Sequence, residues 1–154
     1  MKRVILIILT VVGLLKADEN VLKVVLNLTT SDVDKFERSI LQGIAINKAY
    51  YESKFKELDV IAVVHGGAYK FFIKDLSSSE YKYDQAVLEV QDNFKKRLKS
   101  ISDTYGVKFL MCKAGMNKHK IKEEDVYDYV KVIPNAMIGL IDAQNNGYAY
   151  IPVE

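Results

Sequence analysis

The chain has 154 residues, of which 49% are hydrophobic and 27% charged, and these values indicate one globular domain and exclude an intrinsically disordered protein. The formal net charge is +2, so no strong basic excess points to nucleic-acid binding. The chain has a single cysteine and therefore cannot form an internal disulfide.

The first seventeen residues have the layout of a secretory signal peptide. A short basic head is followed by an uncharged apolar run, residues 4–15 (VILIILTVVGLL). This run is shorter than the about 20 residues that a membrane-spanning helix needs. We therefore predict that residues 1–17 are a signal peptide, cleaved after Ala17. Residues 18–154 are then the mature domain, which is periplasmic or secreted and has no stable membrane association. A buried N-terminal element and an uncleaved membrane anchor are the alternatives.

Cleavage would also change the charge of the domain. It removes three basic residues (Lys2, Arg3 and Lys16) and no acidic one, which lowers the formal net charge from +2 to −1. The mature domain is thus near neutral, and we expect no nucleic-acid partner. An unpaired cysteine in an exported protein indicates a free reactive thiol or an intermolecular partner, so Cys112 is a residue of interest.

The first half of the mature chain predicts a strand, a helix and a second strand. Residues 22–29 (LKVVLNLT) are rich in β-branched residues and predict the first strand. Ser31, with Asp34 three residues later, resembles a capping box, and apolar residues at helical spacing predict an amphipathic helix to about Tyr51. Residues 58–64 form a continuous apolar run, which is typical of a strand covered on both faces of a parallel sheet.

The alternation of strands and helices continues after the second strand. Residues 68–76 predict a short helix, and residues 80–101, apolar at every third or fourth position, predict a long one. Gly106 suits the left-handed position at the end of that helix. Residues 107–111 (VKFLM) predict a third strand, and residues 122–129 are weakly helical.

The end of the chain predicts two more strands. Residues 130–133 form a short fourth strand that Pro134 stops, Asn135 caps a helix to about Asn145, and residues 148–153 predict a last strand of open direction. This order predicts a three-layer α/β/α fold with a mostly parallel sheet of about five strands, flavodoxin-like or Rossmann-like.

The carboxyl edge of this sheet is the predicted functional site. Open α/β folds bind ligands at that edge, and Cys112 follows the third strand there. A helix that starts at the thiol, with Lys113 beside it, would favour the thiolate, which attacks sulfur or binds metal. Asn117 is a candidate hydrogen-bond donor at the same edge. The alternative is that Cys112 is a small buried residue at a strand end.

His65 ends the second strand and is the second candidate catalytic residue. Gly66 and Gly67 follow it and permit either a close approach to a ligand or a tight turn. If the second and third strands are neighbours, His65 can orient or deprotonate Cys112, whereas a structural histidine at the strand end is the alternative. We expect His119 to be exposed to solvent.

Other chemistries have little support in the sequence. It has no dinucleotide-binding fingerprint, Walker motif, zinc-protease motif or C-x-x-C pair. Cys112 and His65 with a carboxylate could hold a metal ion, but their spacing is not specific. We therefore predict neither a metal nor an organic cofactor.

Four stretches together resemble the DsrE/DsrF-like family, specifically its small exported branch. They are LKVVLNLTTSDVDKFERSILQGIAI, LDVIAVVHGGAYKFF, GVKFLMCKAGMNKHKI and VIPNAMIGLIDAQNNGYAYI, and they span nearly all of the predicted mature domain. The features in common are HG after the second strand, one cysteine after the third strand, and the tail that ends in GYAY.

The resemblance implies a DsrE-like α/β fold in a homotrimer or homohexamer. It also implies that Cys112 carries sulfane sulfur as a persulfide and exchanges it with donor and acceptor proteins, as cytoplasmic relatives do. The signal peptide is a departure from those relatives. Whether the protein is a sulfurtransferase-like enzyme stays open. The alternative function is a non-catalytic oligomeric module whose carboxyl-edge cleft binds a small ligand or a peptide.

Overall fold

A five-stranded parallel sheet is the centre of the structure, a computed structural model that describes residues 20–154. The strands are β1 (Val21–Leu28), β2 (Glu57–Val64), β3 (Lys108–Cys112), β4 (Val130–Ile133) and β5 (Ala149–Val153). They lie in the order β4-β3-β2-β1-β5, and each pairing is parallel. The predicted α/β fold is thereby confirmed. The predicted signal peptide lies outside the described residues.

The helices and shorter turns connect these strands. The helices are α1 (Val33–Phe36), α2 (Gly43–Glu52), α3 (Gln85–Tyr105), α4 (Lys113–Lys118) and α5 (Ala136–Asn145). A π-helical turn (Glu37–Gln42) joins α1 to α2, and 3₁₀ turns occur at Gly66–Phe72, Leu76–Ser78 and Glu123–Asp125. Among the described residues, none of these helices is both long and apolar enough to cross a membrane.

Strand order explains which face each helix covers. The chain steps in one direction from β1 to β4, and right-handed crossovers place the connecting helices on one face of the sheet. The connection from β4 to β5 runs back across the sheet, so α5 packs on the opposite face. Close contact of α5 with the sheet depends on Gly139, since a Cβ there would lie 2.6 Å from a methyl carbon of Ile133 and 3.4 Å from one of Val63.

The first helical segment differs from the prediction at its start. The predicted cap Ser31 is wrong: Asp32 is the N-cap, and its carboxylate accepts a hydrogen bond from the amide of Lys35 at 2.6 Å. Farther along, the amide of Gly43 donates to the carbonyl of Arg38, five residues back, which makes that turn π-helical. A Cβ on Gly43 would lie only 3.0 Å from this carbonyl oxygen, so glycine suits the wide turn.

Two predicted helices are replaced by 3₁₀ turns and extended backbone. These are the segments at residues 68–76 and residues 122–129, which contact each other in the fold. An antiparallel bridge joins Ile73 to Val126. Backbone groups that bond between the two segments are no longer free for helical bonds, so tertiary pairing overrides the weak local helical preference.

The long helix also begins later than the predicted residues 80–101, at Gln85. Its N-cap Asp84 accepts hydrogen bonds from the amide of Val87 at 3.3 Å and from the ammonium of Lys70 at 2.7 Å. The Lys70 side chain is only 8% exposed, so this ion pair fixes the start of α3 against the 3₁₀ turn Gly66–Phe72. At the other end, Gly106 has a φ of 66°, which confirms its predicted left-handed position.

We predict that Asp84→Ala lowers the free energy of unfolding by about 2 to 3 kcal/mol, because α3 loses its cap and the buried ammonium loses its partner. Hydrogen bonding from Lys70 lowers the pKa of Asp84. The pair therefore stabilises the wild type above about pH 4, the ordinary pKa of aspartate, and loses this contribution as the pH falls through the lower folded-state pKa. Urea titrations at several pH values measure both effects.

Asp84→Asn is the matched control, because it keeps a capping oxygen and removes the charge. It should destabilise less than Asp84→Ala and should flatten the acid limb of the stability profile. An Asp84→Ala protein as stable as the wild type would contradict this account of where α3 begins.

Candidate functional site

Cys112 is the last residue of β3 and directly precedes α4, so the predicted third strand extends one residue farther than expected. β2 and β3 are neighbours, and their register pairs Val64 with Met111. His65 and Cys112 are the residues that follow this pair. They therefore lie side by side at the carboxyl ends of adjacent parallel strands. This is the arrangement that proton transfer between His65 and Cys112 requires.

The Cys112 thiol is free and shielded. The residue is 7% exposed, and its strand neighbour on the other side is Ile133 of β4. Its carbonyl oxygen accepts a hydrogen bond from the hydroxyl of Tyr69 at 2.9 Å. Burial, and next to it hydrogen bonding to Cys112, raises the pKa of Tyr69 well above its ordinary value. The tyrosine thus stays a hydrogen-bond donor throughout the physiological pH range.

Tyr69 was not predicted as part of the site, although Gly115 in the sequence indicates that a neighbouring group approaches α4 closely. A Cβ on Gly115 would lie 1.9 Å from the Tyr69 hydroxyl oxygen, so only glycine leaves room for this ring beneath α4. A glycine inside a short helix beside the cysteine indicates such a close approach. The ring of His119 lies 5.3 Å from the Tyr69 ring, and its Nδ1 contacts Glu80 at 2.5 Å. His119 is half-buried rather than exposed.

His65 is held from the side of β1. Its Nε2 lies 2.6 Å from Oδ1 of Asn27, and Nδ2 of Asn27 donates to the hydroxyl of Tyr150 at 2.9 Å. Burial lowers the pKa of His65, which favours the neutral ring at pH 7. Neither Asn27 nor Tyr150 was predicted as a site residue from the sequence. The signal for Asn27 was a polar side chain inside the apolar run LKVVLNLT.

The two glycines after His65 shape a tight turn. Gly66 has a φ of +59°, a left-handed conformation that glycine adopts without strain. A Cβ on Gly67 would lie 2.6 Å from the Cβ of Ser31, in the loop after β1. Both glycines thus let the chain turn sharply against the neighbouring loop at the sheet edge.

The two polar candidates on α4 are exposed to solvent. The Lys113 ammonium forms an ion pair with Glu123 at 2.6 Å, in which both side chains are exposed. Asn117 is exposed as well. Within the described part of the chain, no group of three or more His, Cys, Asp or Glu residues is placed to hold a metal ion.

A groove of about 580 Å³ lies beside α5 on the sheet face that carries Cys112 and His65. Apolar residues of the sheet and of α5 line it together with a few charged ones, among them Ile61, Leu110, Ile133, Lys131 and Asp142. Ile133 and Pro134 line the end of the groove nearest to the carboxyl edge. None of the predicted site residues lines this groove, namely Cys112, His65, Gly66, Gly67, Lys113 and Asn117.

Comparisons with known proteins agree with this architecture. A protein of Aquifex aeolicus, described as uncharacterized, is 29% identical over 97 residues, which are 63% of this chain and 41% of that protein. The chain thus spans less than half the length of this curated relative. The solved structure of a protein of unknown function from Methanobacterium thermoautotrophicum superimposes with a TM-score of 0.60, covering 85% of this chain and 98% of its own at 18% identity. This structural likeness shows the fold alone.

The family match covers more of the sequence. Residues 17–153 match the model of the DsrE/DsrF-like family, so the match spans all five strands and includes Cys112 at the end of β3. The chain belongs to the DsrE/DsrF-like family, which is generally associated with sulfur relay.

Proposed function

We propose that this protein is an exported sulfur carrier that holds sulfane sulfur as a persulfide on Cys112. The observation that supports this proposal best is the place of the chain's single cysteine, a free thiol at the carboxyl end of β3 and beside His65. Ligands bind at this edge in open α/β sheets. The association of the family with sulfur relay supports the same chemistry.

The proposed transfer balances without an added oxidant. The Cys112 proton moves to His65, and the thiolate attacks the outer sulfur of a donor persulfide, R–S–SH. The new bond joins Sγ to that sulfur, the donor S–S bond breaks, and the donor leaves as R–S⁻, which takes the proton back from His65. The carrier then holds Cys–S–SH, and the reverse reaction with another thiolate delivers the sulfur.

Burial of Cys112 fits a carrier better than a general thiol reagent. Cys112 is 7% exposed, and this partial burial would slow, without preventing, the reaction of a persulfide with thiols in solution. In the proposed site, Gly66 and Gly67 form the turn that follows His65. Lys113 and Asn117 are exposed on α4 and would contact the donor protein rather than the thiol itself.

The second candidate is a non-catalytic oligomeric module with a ligand or peptide cleft. The observation that favours it is the groove beside α5, which lies on the same face as Cys112. Under this proposal Cys112 is a packing residue, and its replacement by serine leaves folding, assembly and binding intact. Sulfur loading separates the two candidates.

We further propose that the domain forms a homotrimer or homohexamer through a surface of α5 and β5, which we call the apolar surface. It consists of the exposed side chains Met137, Ile138, Ile141, Tyr150 and Ile151. Between residues 136 and 153 the sequence has one charged residue, Asp142, whereas 27% of the whole chain is charged. Depletion of charge and enrichment in methionine and tyrosine are typical of the core of a protein interface.

Export is the last part of the proposal. Residues 1–17 have the basic head and the short apolar run of a signal peptide, and the family match begins only at residue 17. We propose that the protein is cleaved after Ala17 and acts in the periplasm or outside the cell, with a sulfur donor and acceptor protein there.

Sulfur loading tests the main proposal. After incubation with glutathione persulfide and removal of the reagent, intact-mass spectrometry should show a gain of one sulfur atom on the wild type and none on Cys112→Ser. His65→Gln should load more slowly, on the order of a hundredfold, because the thiol loses its base.

Alkylation by iodoacetamide controls for access to the thiol. A wild type that iodoacetamide alkylates at Cys112 but that gains no sulfur would exclude the carrier and leave the binding module. Fluorescence unfolding curves of Cys112→Ser and His65→Gln show whether each variant is folded when it is assayed.

Sedimentation tests the assembly. The wild type should sediment as a trimer or hexamer, whereas Met137→Asp and Ile141→Lys should sediment as monomers, because each places a charge inside the contact. Ile46→Lys, a change at an exposed apolar residue of α2, should leave the assembly intact. A monomeric wild type at high concentration would refute this surface as a subunit contact.

Amino-terminal sequencing tests export. Protein recovered from the periplasm or the medium of an expressing bacterium should begin at Asp18. Ala17→Leu should slow processing, because a large residue replaces the small one before the cleavage point. A chain that stays in the cytoplasm with its first residue intact would contradict this part of the proposal.

A further inference from the structure

A row of polar side chains crosses the sheet from Tyr150 on β5 through Asn27 on β1 to His65 at the end of β2. Asn27 is only 9% exposed, and its strand partners are Val63 and Pro152. A buried amide in such apolar surroundings costs stability unless its hydrogen bonds are made. A plain apolar residue would suit this place better, so the amide indicates a role beyond packing.

The atoms of this row determine which ring nitrogen carries the proton. Oδ1 of Asn27 is an acceptor only, so Nε2 of His65, at 2.6 Å, must donate. Nδ2 of Asn27 donates to the phenol oxygen of Tyr150 at 2.9 Å, so in this orientation both polar atoms of the amide have partners. In a neutral ring with a proton on Nε2, the nitrogen that can accept a proton is Nδ1.

The strand order places the thiol on the other side of the histidine. β1, which carries Asn27, and β3, which carries Cys112, flank β2 on opposite sides. Asn27 therefore occupies Nε2 from one side and leaves Nδ1 as the acceptor for a proton that arrives from the other. A histidine base needs a second group that fixes its tautomer, as an aspartate does in serine hydrolases.

We propose that Asn27, anchored by Tyr150, is a positioning residue that keeps His65 in the Nε2–H tautomer, so that Nδ1 accepts the proton of Cys112. The part of this inference that concerns sulfur rests on the proposed function. The tautomer and its effect on thiol reactivity do not. Neither Asn27 nor Tyr150 contacts the reacting sulfur, so both act through His65.

Nitrogen-15 NMR of the imidazole rings measures the tautomer directly. With His119→Gln as the variant that assigns the two histidines, the wild type should show a protonated Nε2 and an unprotonated Nδ1 on His65. Asn27→Leu should convert this signal to an exchanging mixture of tautomers. Asn27→Asp should restore the protonated Nε2, because its carboxylate accepts the same hydrogen bond.

Alkylation of Cys112 by iodoacetamide at fixed pH measures the consequence. The rate constant should fall on the order of tenfold in Asn27→Leu, and less in Tyr150→Phe, because His65 is no longer held for proton transfer. Tyr150 is exposed, so Tyr150→Phe carries the test if Asn27→Leu does not fold. Tyr83→Phe, at an exposed tyrosine elsewhere, is the matched control and should not change the rate.

The outcomes separate this inference from the carrier proposal. A proton on Nδ1 of His65 in the wild type, or unchanged alkylation rates in folded Asn27→Leu and Tyr150→Phe, would overturn the positioning role. If both readouts change as expected while the wild type never gains sulfur, the positioning role stands and the sulfur carrier is excluded.

Discussion

The parallel pairing of β2 with β3 in one register is the constraint on which the candidate chemistry depends. Because Val64 pairs with Met111, the residues that follow this pair, His65 and Cys112, come to the sheet edge together. A shift of one residue would turn one of the two side chains to the opposite face. The apolar residues of both strands, buried beneath helices on one face, oppose such a shift and so hold the two residues on one face.

Three glycines adapt the surrounding backbone to this edge. Gly67 lets the turn after β2 pass the loop after β1, Gly115 leaves room for the Tyr69 hydroxyl under α4, and Gly139 lets α5 lie close to the sheet. At each of these places a Cβ would come within 2.6 Å or less of a neighbouring atom. The shape of the site therefore depends on the absence of a Cβ at these three glycines as well as on its polar residues.

Sequence patterns predicted the fold, its five strands and the place of Cys112 at the end of the third strand, because these follow from hydrophobic periodicity and from the geometry of parallel strands. They failed where distant residues decide the local structure. α3 begins at Gln85 because Lys70 binds Asp84, a contact that no local pattern shows. The direction of β5 and the bond of Asn27 to His65 depend on which strands are neighbours, which one sequence alone does not give.

The side chain of Tyr150 links the apolar surface to the site around His65. This side chain lies in the apolar surface and also binds the amide that holds His65. In the proposed assembly, a subunit that covers Tyr150 would therefore change the mobility of the His65 ring from two strands away. By linkage, any change at the cysteine that alters His65 also alters the strength of that contact. Under these two proposals, the chemical state of Cys112 and the association of the chain would be coupled through one phenol group.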